Sequence, residues 1–157
     1  MRNFSEKKSS RQSSSNHIGY LFCFLSLFLS VSGCSGIPIS YYDATTYTQL
    51  TSLKAETTTL VASFDTKKVA DNESKIEQTT LSLRKAYEYE KGKGDPNSGT
   101  TKQFEKIEQL FDSDIKEYRE GGPNSLGVKY FREAAIVLGQ AFDIAIATEN
   151  LKNKDKR

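Results

Sequence analysis

The 157-residue chain has no tryptophan, one histidine, one methionine and two cysteines. Their positions sharpen the shortage. The methionine is Met1, and His17 and Cys23 lie in the N-terminal apolar region, so past Val31 there is no imidazole, no thioether and a single thiol, Cys34. No intramolecular disulfide can form there. Zinc, copper and haem sites lose their usual His, Cys and Met ligands. A di-iron carboxylate centre lacks its Glu-x-x-His pairs. Serines and threonines are plentiful, but no histidine can activate them as nucleophiles. The expectation is a protein with no metal, no cofactor and no catalytic residue, and therefore not an enzyme.

The N-terminus has its own character. Arg2, Lys7, Lys8 and Arg11 stand against Glu6 alone, and Ser9, Ser10, Ser13, Ser14 and Ser15 disfavour order. Ile18 to Val31 then runs 14 residues without a charge. A membrane-spanning helix needs about 20, whereas the apolar part of a secretory signal is shorter. The run ends in Val31-Ser32-Gly33-Cys34. This ending resembles the lipobox of bacterial lipoproteins. The resemblance implies removal of residues 1–33, a diacylglyceryl group on the Cys34 sulfur and often palmitate-class acylation of the new amino terminus. Two other readings stay open: cleavage elsewhere by an ordinary signal peptidase, or retention of the run as an uncleaved anchor. In such lipoproteins an Asp directly after the cysteine favours the inner membrane. Ser35 here implies the outer membrane, facing the periplasm, in a cell with two membranes. In a cell with one, it implies the outer face of the cytoplasmic membrane.

Removal of residues 1–33 takes four basic and one acidic side chain, which leaves 18 basic and 19 acidic, a net charge of −1. No excess of positive charge remains to gather nucleic-acid phosphates. Lys152, Lys154, Lys156 and Arg157 form a basic tip, which reads as a solvated end.

The organisation expected is a signal at 1–33, a tether at 34–42 and a four-helix domain at 43–157. Gly36 and Pro38 keep the tether out of a helix, and seven extended residues reach roughly 23–25 Å. Tyr41 and Tyr42 are expected to close the bottom of the core. Asp43 or Thr45 caps a first helix that buries Tyr47, Leu50, Leu53, Thr57, Leu60 or Val61, and Phe64. A connection falls within 65–73, and Ser74-x-x-Glu77 matches a capping box for the second helix. That helix buries Ile76, Thr80, Leu83, Ala86 and Tyr87, and a left-handed Gly92 ends it. One unbroken helix over 43–91 is disfavoured, because its apolar stripe shifts midway. After the loop 92–99, Thr100-x-x-Gln103 offers another capping box. The third helix buries Phe104, Ile107, Leu110 or Phe111, Ile115 and Tyr118, and stops at Gly121-Gly122-Pro123. Asn124 or Ser125 caps the fourth. Val128, Phe131, Ala135, Leu138, Phe142 and Ala145 repeat at steps of three and four, and Ala134, Val137, Ala141 and Ile144 widen the stripe. This helix is expected to be the most buried. Four amphipathic helices joined by short polar loops imply an all-α fold, an antiparallel four-helix bundle.

Few side chains invite chemistry. Asp95-x-Asn97-x-Gly99 has a trace of a calcium loop, but Thr100 and Lys106 stand where an EF-hand wants Gly and Glu. Glu105 and Glu108, and Asp112, Asp114 and Glu117, alternate with Lys102, Lys106, Lys116 and Arg119, the pattern of a solvated helix face. Tyr87 and Tyr89 lie beside one loop, and Tyr118 and Tyr130 beside another. Tyr87 and Tyr118 are expected to cap the core, with the other two at the surface. The body resembles the small, uncharacterised helical envelope lipoproteins of bacteria, a likeness that carries no functional residues over. The function expected is a lipid-anchored envelope protein, held on the membrane through Cys34, that works by contact with another envelope protein and not with nucleic acid. A small-ligand-binding bundle is the alternative, and an envelope hydrolase ranks third.

Overall fold

The computed structural model describes residues 40–123, 125–127, 129–152 and 154. The signal at 1–33, Cys34 and most of the tether lie outside them, as do Asn124 and Val128. The described residues are all-helical, with four long helices and no strand.

Helix α1 spans Ala44–Ser63. Its cap is Asp43, whose carboxylate accepts the Thr45 N–H at 2.8 Å, as the sequence implied. It buries Thr46, Leu50, Leu53, Thr57, Leu60 and Val61. Thr57 sits in this apolar row without cost, because its hydroxyl donates to the Leu53 carbonyl. Tyr47 is only half-buried; Thr46, one residue earlier, takes the inward place. The helix ends at Phe64, and the chain turns through 65–68, so 43–91 is not one helix.

Helix α2 spans Val69–Lys91 and starts earlier than the Ser74 capping box suggested. Both Ser74 and Glu77 are exposed inside the helix. Tertiary contact overrides the local signal. Val69 packs against the core, and buried Asn72 donates to the Tyr118 hydroxyl (3.0 Å) and to Ser63 Oγ (3.1 Å). Ile76, Leu83 and Ala86 are buried as expected, with Thr79 in place of Thr80 and with Tyr87 half-buried. Gly92 stays right-handed (φ −62°); the left-handed residue is Gly94 (φ 77°), two positions on.

A short 3-10 turn, Asp95–Asn97, leads directly into α3, Ser98–Gly121. The Thr100–Gln103 box is therefore also inside a helix: Thr100 is buried, and the Gln103 amide donates to Thr148 Oγ1. Phe104, Ile107, Phe111, Ile115 and Tyr118 are buried, with Phe111 chosen over half-buried Leu110. Gly122 (φ 72°) ends the helix.

Helix α4 spans Tyr130–Leu151. The cap comes from elsewhere in the chain and not from Ser125, whose side chain makes no such bond among the described residues. Asp65, in the turn after α1, accepts the N–H groups of Phe131 (3.1 Å) and Arg132 (3.3 Å) and is itself buried. A carboxylate there satisfies free donors and opposes the positive end of the helix dipole. Phe131, Ala135, Leu138, Phe142 and Ala145 are buried as read from the sequence. Val137 and Ile144 are not: they are 51% and 62% exposed, as is Ile136 at 54%. The helix still has the largest buried share of the four, but its additional apolar residues face outward.

Around the core, α1 packs on α2 and α4, and α3 packs on α2 and α4. Gly139 of α4 lies against Thr58 and Lys54 of α1. A methyl group there would sit 3.5 Å from Thr58 Cγ2.

Candidate functional site

The strongest concentration of polar groups lies where α1 begins and α2 and α4 end. Glu90, Asn97 and Glu149 are almost fully buried, and Lys152 nearly so. Thr46 Oγ1 and Lys93 Nζ both donate to Glu90 Oε1, and the Asn97 amide donates to Glu90 Oε2 (2.7 Å) and to its carbonyl (3.0 Å). Lys93 also pairs with Asp43 (2.9 Å), which accepts the Tyr89 hydroxyl (2.7 Å). Lys152 bridges Glu149 (2.6 Å) and Asn97 Oδ1 (2.9 Å). The start of the described chain is tied into the same cluster. The Ser40 N–H donates to the Pro96 carbonyl, Ser40 Oγ to Asn97 Oδ1, and the Asp43 N–H to Glu149 Oε1.

Burial works to raise the Asp43 pKa, but hydrogen bonds from Lys93, Tyr89 and the Thr45 N–H outweigh it and hold the carboxyl far below its usual range. Burial works to lower Lys93, but Asp43 and Glu90 together raise it. Asp43 and Lys93 hold each other in their charged forms. The arrangement fastens three segments together. In the calcium-like loop Asn97 points inward with its oxygen engaged by Ser40 and Lys152, while Asp95 is exposed.

The carboxylates of α3 divide. Glu105 accepts from Tyr87 (3.2 Å) and Glu108 from Arg84 (3.3 Å), and Asp112 is exposed. Asp114 departs from the solvated face expected of it. It is 8% exposed, it has no hydrogen-bond partner among the described residues, and burial raises its pKa to about 6. It lines an open cavity of about 310 Å³ between α3 and α4, with Leu110, Tyr130, Glu133 and Val137. A carboxyl near 6 lies in the range for general acid–base work. The lining adds another carboxylate, Glu133, and no Lys or Arg. Burial and the nearby Asp114 and Glu117 charges raise Tyr130 as well.

Two larger grooves lie elsewhere on the surface. One of about 660 Å³ runs between α2 and α3 and includes Leu81, Arg84 and Arg119; the other, about 510 Å³, runs between α1 and α2. In the first, the arginines are already paired, Arg84 with Glu108 and Arg119 with Glu73. Of the tyrosines, Tyr118 is fully buried, Tyr87 is half-buried, and Tyr89 and Tyr130 are partly exposed. Tyr42 leans on Tyr47, whereas Tyr41 is 46% exposed and does not close the core. Cys34, the lipidation candidate, lies outside the described residues.

The buried polar residues that sequence reasoning missed share one signal. Each lies in phase with an apolar stripe. Glu90 follows Ile76, Thr79, Leu83 and Ala86 at steps of three and four; Glu149 follows Leu138, Phe142 and Ala145; Asp114 falls between Phe111 and Tyr118. Helical phase carries a residue inward whatever its polarity. Compared with protein-family models, curated proteins and solved structures, the chain matches none of them.

Proposed function

We propose that this protein is a lipid-anchored, non-enzymatic lipoprotein of the bacterial cell envelope whose helical body acts by protein–protein contact. The observation that carries the reading is Val31-Ser32-Gly33-Cys34 at the end of the uncharged run Ile18–Val31. Acylation of Cys34 would leave a short tether before Ser40, where the described domain begins. At roughly 0.8 kcal/mol per buried CH₂, two or more acyl chains hold a protein stably on a bilayer. In a two-membrane cell the body faces the periplasm. The body itself is an antiparallel four-helix bundle in this reading. Short connections and the gathering of Phe64, Asn72, Tyr118 and Phe131 at one end support that topology.

Contact is favoured over catalysis by the apolar residues that α4 turns outward, since large apolar side chains exposed in a row mark interaction surfaces. A small-ligand-binding bundle is the runner-up, and the unpartnered Asp114 in its cavity is the observation in its favour. The test of the anchor is the mass of the protein from native membranes. A mature chain beginning at an acylated Cys34 is expected, and Cys34→Ala should accumulate at precursor length. An unmodified Cys34 in the native protein would overturn the proposal.

A further inference from the structure

Helix α4 carries two stripes one residue apart. Phe131, Leu138 and Ala145 belong to the buried one. The other takes Tyr130, Val137, Ile144 and Leu151, four large side chains at intervals of seven, all exposed. Between them lie Ala134, Ala141 and Thr148, each half-buried. The steps are four and three throughout, which is the repeat of a coiled-coil seam. Large residues alternate with small ones, so the seam offers both knobs and the shallow places that receive them.

The charges at its two ends are opposite. At the Tyr130 end Asp114, Glu133 and, beside them, Glu117 outnumber exposed Lys129, and Arg132 is held by Asp65, so the balance there is acidic. Just past the Leu151 end stands Lys154, exposed over the Tyr42 ring, and the sequence continues through Asp155 to Lys156 and Arg157, a basic balance. Lys152 is engaged by Glu149 and Asn97 and does not count here.

We propose that this face binds a second copy of the same chain, α4 against α4, in antiparallel orientation. With Ala141 opposite the second copy's Ile144, Ala134 meets Leu151 and Val137 meets Thr148, so a small residue faces a large one in each of these layers, and Tyr130 lies beyond the last of them. The same register brings the basic end of each copy over the acidic end of the other, twice by symmetry. A parallel pairing would set like charges together. Each copy exposes on the order of 500 Å² here, so two reach the ~1,000 Å² that a specific interface needs. The proposal rests on the contact reading in that it names the partner, and it is independent of the anchor.

The test uses the full chain in its native membrane, in a Cys23→Ser background. Ile144→Cys should be joined into dimers by a short bis-maleimide, while Gln78→Cys, exposed on α2, should stay at the baseline of the parent that keeps Cys34. Lys154→Glu should lower the yield at 144 by on the order of tenfold, and adding Glu133→Lys should restore it. Equal yields at 144 and 78, or no restoration by the paired charge reversal, would overturn the proposal. The mass of Cys34 read in the same samples separates the two claims. A lipidated chain that stays monomeric sinks the dimer alone, and an unlipidated chain that cross-links at 144 sinks the anchor alone.

Discussion

Where α1 ends, Phe64 stacks on Tyr118 with ring centres 4.0 Å apart and planes nearly parallel, and Phe131 meets both edge-on. Where α1 begins, Asp43, Glu90, Lys93, Asn97, Glu149 and Lys152 interlock by charge. Both clusters do the same job: they close a core at a point where helix ends leave backbone groups unpaired. The first closes by area and shape, with three polar additions: the Tyr118 hydroxyl donates to the Lys67 carbonyl, Asn72 donates to that hydroxyl, and Asp65 caps α4. The second closes by mutual pairing of buried ions, whose value depends on every member being present. The difference shows how one domain can have two ends of similar worth and unlike sensitivity.

The largest effects should come from breaking either cluster outright. Phe131→Ala should cost about 3–5 kcal/mol, the usual range for a buried aromatic. Glu90→Ala should cost about 3–5 kcal/mol as well, because it leaves Asn97 and Thr46 buried without their acceptor and Lys93 with Asp43 alone. Urea unfolding at pH 7 measures both. A Glu90 variant as stable as the parent would show that the ion cluster is ornamental.

Acid should separate the two ends. The folded-state pKa of Asp43 lies below its ordinary value of 3.8, so its contribution is present above about pH 4 and is lost as pH falls through the folded value. The deficit of Asp43→Ala should therefore shrink towards pH 2, while that of Phe131→Ala should not. Alkali should not separate them. Lys93, raised by its partners, contributes below its ordinary 10.5 and fails above; Tyr118, raised by burial, is held neutral in the fold and costs stability once pH passes 10.

Asp114 has the opposite sign. Its folded pKa of about 6 lies above the ordinary 3.8, so the folded state holds the proton longer. Stability is fully kept below about pH 4 and falls as pH rises to 6. Asp114→Asn should gain about 1–3 kcal/mol at pH 7 and close to nothing at pH 4, a difference of roughly two pKa units at 1.36 kcal/mol each. Unfolding curves at the two pH values check this, and a gain that is equal at both would show another cause.

The smallest effect expected is at the cap supplied across the chain. Asp65→Ala should cost about 1–2 kcal/mol, as for other N-cap losses, measured by thermal unfolding at pH 7.

The apolar stripes were readable because they are long. Leu138 and Phe142 sit in a repeat that only a helix satisfies, and the structure buries both. The boundaries were less readable. Ser74-x-x-Glu77 and Thr100-x-x-Gln103 satisfy a local rule, yet α2 gains more by starting at Val69, where Asn72 reaches Tyr118, and α3 by continuing from the 3-10 turn. The cap on α4 could not be read locally, since its donor and acceptor are 66 positions apart. Asp114 reads as surface by its charge, and Glu90 and Glu149 give no signal beyond their phase, which places all three inside. Val137 and Ile144 read as core for the converse reason: polarity alone does not tell which of two neighbouring stripes faces the other helices.

The ties at Ser40 and Asp43 also have a mechanical meaning. Any pull applied through the residues before Ser40 arrives first at bonds to Pro96, Asn97 and Glu149, which belong to the 3-10 turn and to the far end of α4. The load is divided among these bonds in parallel before it reaches the first turn of α1. A helix pulled from its own end yields one hydrogen bond at a time, in series. Here the grip must release as a group, so tension entering from the N-terminal side meets a shear joint instead of a zipper.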